Sequence, residues 1–220
     1  PVSHIIEISK IVEYIVHEQV YNHFSKHSIF HPNHHGFLGD HNTATALVHL
    51  HDLWLEAAEH QELSAALLLD QSAAFDVVDP IILLDKMKLY GFDENSVMWF
   101  QSYMSDRTDR SQKVYIDGHL SEALPLDVGV PQGSILGPLL YILFSNDLPE
   151  AIHSDHEPEK GLYNTHCKEC GGICCYADDS TYTFSHSNPD IIKEKIDSKY
   201  QDIANYMTNN KLVLNRQRDT

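Results

Sequence analysis

Ile173-Cys174-Cys175-Tyr176-Ala177-Asp178-Asp179-Ser180-Thr181-Tyr182-Thr183-Phe184 sets two runs of β-forming residues around a pair of adjacent acids. Runs of this composition favour strands, so the stretch reads as a β-hairpin with Asp178 and Asp179 at its tip. Neighbouring carboxylates repel each other. A divalent cation would relieve that repulsion, and carboxylate oxygen is the donor Mg²⁺ prefers. The alternative is a solvated Asp-rich turn, since Asp tolerates turn geometry. A third acid, Asp70, ends the continuous apolar run Ala65–Leu69, which reads as a buried central strand.

Composition bounds the rest. The chain has 220 residues, 42% of them hydrophobic, enough for one large globular domain or two small ones. It begins at Pro1 and stops after Arg216–Thr220 without a closing element, so it reads as a piece of a longer chain. No run reaches the ~18 apolar residues of a membrane helix, and a soluble protein with no membrane partner is expected. There are 32 acids against 15 bases, a net charge of −17. That acidity argues against a free-standing nucleic-acid binder, because gripping phosphate takes a basic surface. The four cysteines, Cys167, Cys170, Cys174 and Cys175, sit together and do not resemble a secreted disulfide framework.

Hydrophobic spacing places the elements around the hairpin. Ile5, Ile8, Val12, Ile15, Val20 and Phe24 mark a first helix with Ser3 as its cap. The next segment, 27–42, reads as a loop, and its histidines His31, His34, His35 and His41 as surface residues. A second helix spans about Thr43–Glu62, with Leu47, Leu50, Trp54 and Ala57 or Ala58 along one face. Ile81–Tyr90 is a helix closed by Gly91, and Glu94–Met104 another, with Val97, Phe100 and Met104 on one side. Lys113–Ile116 and Leu124–Val128 read as strands joined around Asp117-Gly118. Ser134 is placed to cap a helix running to Asn146, and a polar stretch at about 151–172 looks like an insertion. A final helix covers about Pro189–Asn209, with Ile192, Ile196, Ile203 and Met207 inward, and Lys211–Leu214 is a closing strand. The fold class is α+β, a sheet covered by helices on one face.

The order of three motifs resembles the palm of reverse transcriptases of the non-LTR, jockey-like retrotransposon type. They are Leu67-Leu68-Leu69-Asp70-Gln71-Ser72-Ala73-Ala74-Phe75-Asp76, Gly129-Val130-Pro131-Gln132-Gly133-Ser134-Ile135-Leu136-Gly137-Pro138 and Tyr176-Ala177-Asp178-Asp179. The resemblance implies a right-hand polymerase palm, an antiparallel sheet backed by helices, at 65–220. It implies part of the fingers at 1–64, with the thumb absent. It implies an RNA-directed DNA polymerase that extends a DNA primer along an RNA template with deoxynucleoside triphosphates. Two Mg²⁺ ions, with Mn²⁺ as an alternative, would lie ~4 Å apart. The other domains of the same polyprotein would be its partners, in an intracellular setting. Asp70 and Asp178 are implied as metal ligands, with Asp179 as their neighbour and the Gln71 backbone carbonyl as a further ligand. Phe75 is implied under the sugar of the nucleotide, where a ring would exclude a 2′-hydroxyl; a core aromatic is the other reading. Gln132 and Gly133 would touch the nucleotide and template–primer. Arg107 and Arg110 match a basic turn that contacts phosphate, with a solvated surface turn as the alternative.

Some positions depart from the family pattern. Gly36-Phe37 is followed by Leu38, where relatives carry a triphosphate-binding Arg. Pro80 replaces an expected His, and Arg218 stands where a Lys would protonate pyrophosphate. Arg is a poor general acid. These departures leave open a second reading, a catalytically weakened or inactive remnant acting as a nucleic-acid-binding or interaction module. An RNA-directed RNA polymerase is a third, against which Phe75 speaks. Cys167 and Cys170 form one CxxC, compatible with a small zinc site or with reduced thiols in a loop.

Overall fold

A computed structural model describes residues 7–105, 111–112, 115–116, 119–122, 124–125, 128–130, 133–152 and 171–215. In chain order these form α1 (Glu7–Lys26), α2 (Thr43–Glu59), β1 (Leu63–Leu69), α3 (Pro80–Leu89) and α4 (Glu94–Ser105). Then come β2 (Ser111–Gln112), β3 (Tyr115–Ile116), β4 (His119–Leu120), β5 (Leu124–Pro125) and α5 (Leu136–Ser145). A 3₁₀ turn at Pro149–Ile152 leads on to β6 (Gly172–Tyr176), β7 (Asp179–His186) and α6 (Pro189–Asn209).

The main sheet is antiparallel, in the order β1-β7-β6, with Leu67 opposite Tyr182, Leu69 opposite Ser180 and Ile173 opposite Tyr182. Successive side chains point to opposite faces. Ala65, Leu67, Leu69, Ile173, Cys175, Tyr182 and Phe184 therefore share one face, and they join the main core with α5 and α6. The opposite face carries Leu68, Thr181 and Cys174. Here the structure corrects the expectation of helices on one face only. On this second face α2 packs Ala46, Leu50 and Leu53 around Cys174. Gly172 makes room for it, since a Cβ there would lie 2.8 Å from a Leu53 methyl.

β1 is an edge strand of this sheet, not a buried central one, and its Leu68 is 74% exposed. An unbroken apolar run reads the same whether one face or both are covered, which is why the sequence misplaces it. Helix α1 departs in the same way. Ile8, Val12 and Ile15 are exposed, while Glu13, Val20 and Phe24 are buried. The helix meets the core mainly through its second half, and Ser3 lies outside the described residues. In α2 the buried stripe is Ala46, Leu50, Leu53 and Ala57, rotated from the expected one, so that Leu47 and Trp54 are exposed. A capping box of Asn42 and Thr45 starts that helix.

Other elements match the reading. Val97, Phe100 and Met104 of α4 are buried, and α6 has the expected bounds with Ile192, Ile203 and Met207 buried. Asp79 caps α3 with Pro80 in its first turn, and Gly91, at φ 85°, ends it. Ser134 Oγ accepts the Gly137 N–H at 2.9 Å at the start of α5. The short hairpin pairs Tyr115–Ile116 with His119–Leu120, and Ser111–Gln112 with Leu124–Pro125. Tyr115–Ile116 therefore pairs with His119–Leu120 and not with the expected Leu124–Val128, while residues 113–114, 117–118 and 126–127 lie outside the described residues. Of the closing strand, one bridge is found among the described residues, Leu214 to Gln71.

Candidate active site

Strand register brings the acids together. Tyr176 pairs with Asp179, which leaves a turn of Ala177 and Asp178. Leu69 pairs with Ser180, so one further step sets Asp70 opposite Asp179. Alternation then puts both carboxylates on the face away from the main core. Asp179 feels the other two acids. Its carboxyl is raised above the usual range, first by partial desolvation and then by the charges of Asp178 and Asp70.

The backbone around these acids is held on both sides. On one side Asp70 is gripped twice by Asn215, whose N–H donates to the Asp70 carbonyl at 2.9 Å and whose side-chain amide donates to Oδ2 at 2.8 Å. Ser72 donates to the Val213 carbonyl at 2.8 Å. These two bonds flank the Gln71–Leu214 pair, so the Gln71 carbonyl is directed to the other edge, toward β7. The Gln71 side chain is buried, and its Oε1 accepts the Tyr141 hydroxyl at 2.8 Å.

On the other side lies the loop before α2. His35 donates to the Cys175 carbonyl and Cys175 to the Asn33 carbonyl, each at 2.8 Å. Gly36 then presses on the turn itself, where a Cβ would lie 2.3 Å from the Ala177 nitrogen. Ala177 adopts φ 55°, a left-handed conformation that costs a residue with a side chain. The close approach of Gly36 is part of what holds it there.

This loop corrects the surface assignment for three of its four named histidines, while His41 is exposed as expected. His31, His34 and His35 are buried, because the loop lies between β6 and the C-terminal end of α5. His34 Nε2 bonds the Ser145 carbonyl at 3.1 Å, and His35 Nδ1 lies 3.3 Å from Thr45 Oγ1. Asn146 Oδ1 accepts the His31 N–H at 2.9 Å, while its amide donates to the Ile29 carbonyl at 2.9 Å. Burial lowers His34 and His35 to about 4 each, opposed at His34 by the Ser145 carbonyl. The segment has no periodic pattern, so spacing could not have revealed these contacts.

Phe75 is half-buried, with its ring 6.1 Å from that of Phe37 and 5.0 Å from that of Tyr141. Leu38, at the position where the resemblance leads one to expect Arg, is buried. Gly133 is exposed at φ 90°. Gln132, Arg107, Arg110, Cys167, Cys170 and Arg218 lie outside the described residues. Cys174 and Cys175 are buried free thiols. Among the described residues, no group of three or more His, Cys, Asp or Glu side chains is arranged to hold a metal ion, and no helix is long and apolar enough to cross a membrane. Sequence reasoning missed Tyr141, Glu13 and the Asn215 amide, each of which acts through a partner far away in the chain.

The profile of the family described as "Reverse transcriptase (RNA-dependent DNA polymerase)" matches residues 1–218. The chain is 34% identical over 145 residues to the RNA-directed DNA polymerase from mobile element jockey of Drosophila melanogaster, covering 66% of this chain and 14% of that protein. It is 30% identical over 190 residues to the probable RNA-directed DNA polymerase from transposon BS of the same fly, covering 84% of this chain and 19% of that one. The chain thus spans less than a fifth of the length of these relatives. Among solved structures, a telomerase from Candida tropicalis in complex with a fragment of telomeric RNA aligns with a TM-score of 0.61 at 12% identity. That alignment covers 95% of this chain and 32% of the telomerase, a likeness of fold alone. With the family profile matched along nearly its whole length, this chain belongs to the reverse transcriptase family.

Proposed function

We propose that this chain is the fingers-and-palm portion of an RNA-directed DNA polymerase of a mobile element. It would extend a DNA primer on an RNA template by transferring nucleotides from deoxynucleoside triphosphates to the primer 3′-hydroxyl. The observation that carries this is the convergence of Asp70 with Asp178-Asp179 at one end of an antiparallel sheet, in a chain of this family. Reverse transcriptases generally use divalent metal ions. The donor chemistry suits such ions, since Asp70, Asp178 and Asp179 offer hard carboxylate oxygens, with Asp179 raised first by desolvation and then by the charges of Asp178 and Asp70. Among the described residues the three side chains are not arranged as a closed metal site. When bound, two Mg²⁺ ions would favour ionisation of the 3′-hydroxyl and offset the charge gathering on the leaving pyrophosphate.

The protein residues supply placement. Asp70, just past the end of β1, and Asp178, in the turn between β6 and β7, would be the ligands, with Asn215 holding the first and Gly36 packed on the second's turn. Asp179 is the neighbouring carboxylate, and the Gln71 carbonyl is directed toward the same edge. Phe75, backed by Tyr141, sets a ring where a ribose 2′-hydroxyl would have to fit. Gly133, at the open end of its loop, lets backbone come close to a base. The test is primer extension by the full-length protein on an RNA template with Mg²⁺, run in parallel with deoxynucleotides and ribonucleotides. Extension with deoxynucleotides in excess is expected.

The buried Leu38 favours one second reading, a weakened or inactive remnant, because no cation at that position can reach a triphosphate. No incorporation above background by the intact protein would replace the polymerase reading with this one. Equal use of both sugars would point instead to an RNA polymerase.

A further inference from the structure

Helix α1 is turned the wrong way for its composition. It leaves Ile8, Ile11, Val12 and Ile15 exposed and buries a carboxylate, Glu13, which is 3% exposed. Acids are rarely buried unless they are paired. Both Glu13 oxygens have partners from distant parts of the chain. Oε2 accepts the Ile135 N–H at 2.8 Å, and Oε1 accepts the Tyr103 hydroxyl at 2.9 Å. Tyr103 is in turn stacked on Trp99, with centroids 5.4 Å apart and planes 8° apart.

Ile135 sits at the start of α5, where free N–H groups and the helix dipole favour a negative charge. It also ends the loop 129–134. The other end of that loop is fastened to the segment after Asp70. Gly129 donates to the Val78 carbonyl at 2.8 Å and Val130 to the Phe75 carbonyl at 2.7 Å. Gly129 has φ 87°, and a Cβ on it would lie 2.6 Å from the Asp76 carbonyl oxygen. The described residues on either side are thus held, Gly129 and Val130 by the Phe75 segment and Ile135, two residues after Gly133, by the carboxylate of α1.

We propose that Glu13 is a positioning residue for nucleotide binding, which sets the Gly133 end of the loop by holding the Ile135 amide. This rests on the polymerase reading above, in which that loop meets the incoming nucleotide. A loop end set free samples more positions, so the loss falls on nucleotide affinity more than on turnover. A merely structural acid would instead lower stability and leave the nucleotide KM of the folded enzyme unchanged.

The experiment uses the full-length protein and three variants. Glu13→Leu fills similar volume but removes both acceptors. It is expected to raise the KM for deoxynucleotide about tenfold, with kcat changed less than about twofold. Glu13→Gln keeps an oxygen for the Ile135 N–H and should stay within about twofold of the unaltered protein. Tyr103→Phe removes one of the two bonds, and a rise of about threefold is expected. It also serves as the second probe should Glu13→Leu fail to fold. Amide hydrogen exchange over residues 133–136 supplies a readout independent of catalysis, and it should quicken in Glu13→Leu and Tyr103→Phe. Unchanged exchange would overturn the clamp, and unchanged KM would overturn its role in placing nucleotide. If the unaltered protein incorporates nothing, the polymerase reading is what fails, and exchange alone then decides the clamp.

Discussion

The acidic turn and the histidine loop touch each other, yet they are built on opposite terms. At the turn, Asp178 and Asp179 repel each other, and Asp70 adds to the strain. The loop at 31–36 buries His31, His34 and His35 and ties its backbone to Cys175. One region keeps charge in a place that stability alone would not choose. The other provides the packing that lets it stay there. The lesson is that the acidic end and its support can be altered separately, and each should fail in its own way.

Asp178→Asn gives the largest contrast. Incorporation by the full-length protein should fall on the order of 10³-fold. The urea midpoint of unfolding should stay level or rise slightly, because one of three repelling charges is gone. A midpoint that fell along with activity would erase the distinction between the two regions. Gly36→Ala tests the support. Its new methyl would meet the Ala177 nitrogen at 2.3 Å, backbone that cannot step aside cheaply. A loss of about 3–4 kcal/mol in unfolding free energy is expected. A loss below about 1 kcal/mol would mean that the loop does not hold the turn.

Acid should attack the support first. His34 is lowered to about 4, chiefly by burial, and stays neutral in the folded protein. The unfolded chain takes up a proton as pH falls through about 6.5, so the stabilisation is complete above that pH. It is lost progressively as pH falls toward 4. For His34 alone the loss is about 3 kcal/mol, and His35, also lowered to about 4, acts with the same sign. Urea midpoints from pH 7.5 down to 4.5 measure the slope. His34→Asn should flatten it, while Asp178→Asn should not.

The same contrast explains what the sequence could tell. That Asp70, Asp178 and Asp179 lie together is legible because each sits at the end of a strand-forming run; that they hold metal is the proposal made above. The bounds of α6 and the buried stripe of α4 were legible from spacing within a single element. What escaped was settled by contacts between elements. Whether β1 lies inside or at an edge depends on neighbours that its own apolar run does not name. The rotation of α1 depends on Ile135 and Tyr103, far along the chain. His31, His34 and His35 read as surface residues because a loop has no period, and docking against α5 and β6, with His34 Nε2 on the Ser145 carbonyl and the His35 N–H on the Cys175 carbonyl, buries them.

Asn215 sits where the two terms meet, and its substitution should give the smallest effect. Its side-chain amide donates to Asp70 Oδ2 at 2.8 Å in an exposed setting, while its backbone N–H holds the Asp70 carbonyl at 2.9 Å. Asn215→Ala removes the first bond and keeps the second. Stability should therefore change by less than about 0.5 kcal/mol, as for most surface replacements. The carboxylate oxygen it releases no longer shares its lone pairs with an amide. If Asp70 is a ligand, the Mg²⁺ concentration for half-maximal incorporation should fall about twofold, equivalent to a fraction of one hydrogen bond. A rise instead would mean that the amide aims the carboxylate rather than competing for it. The Asn215 side chain would then steady the acid, as its backbone N–H already steadies the Asp70 carbonyl.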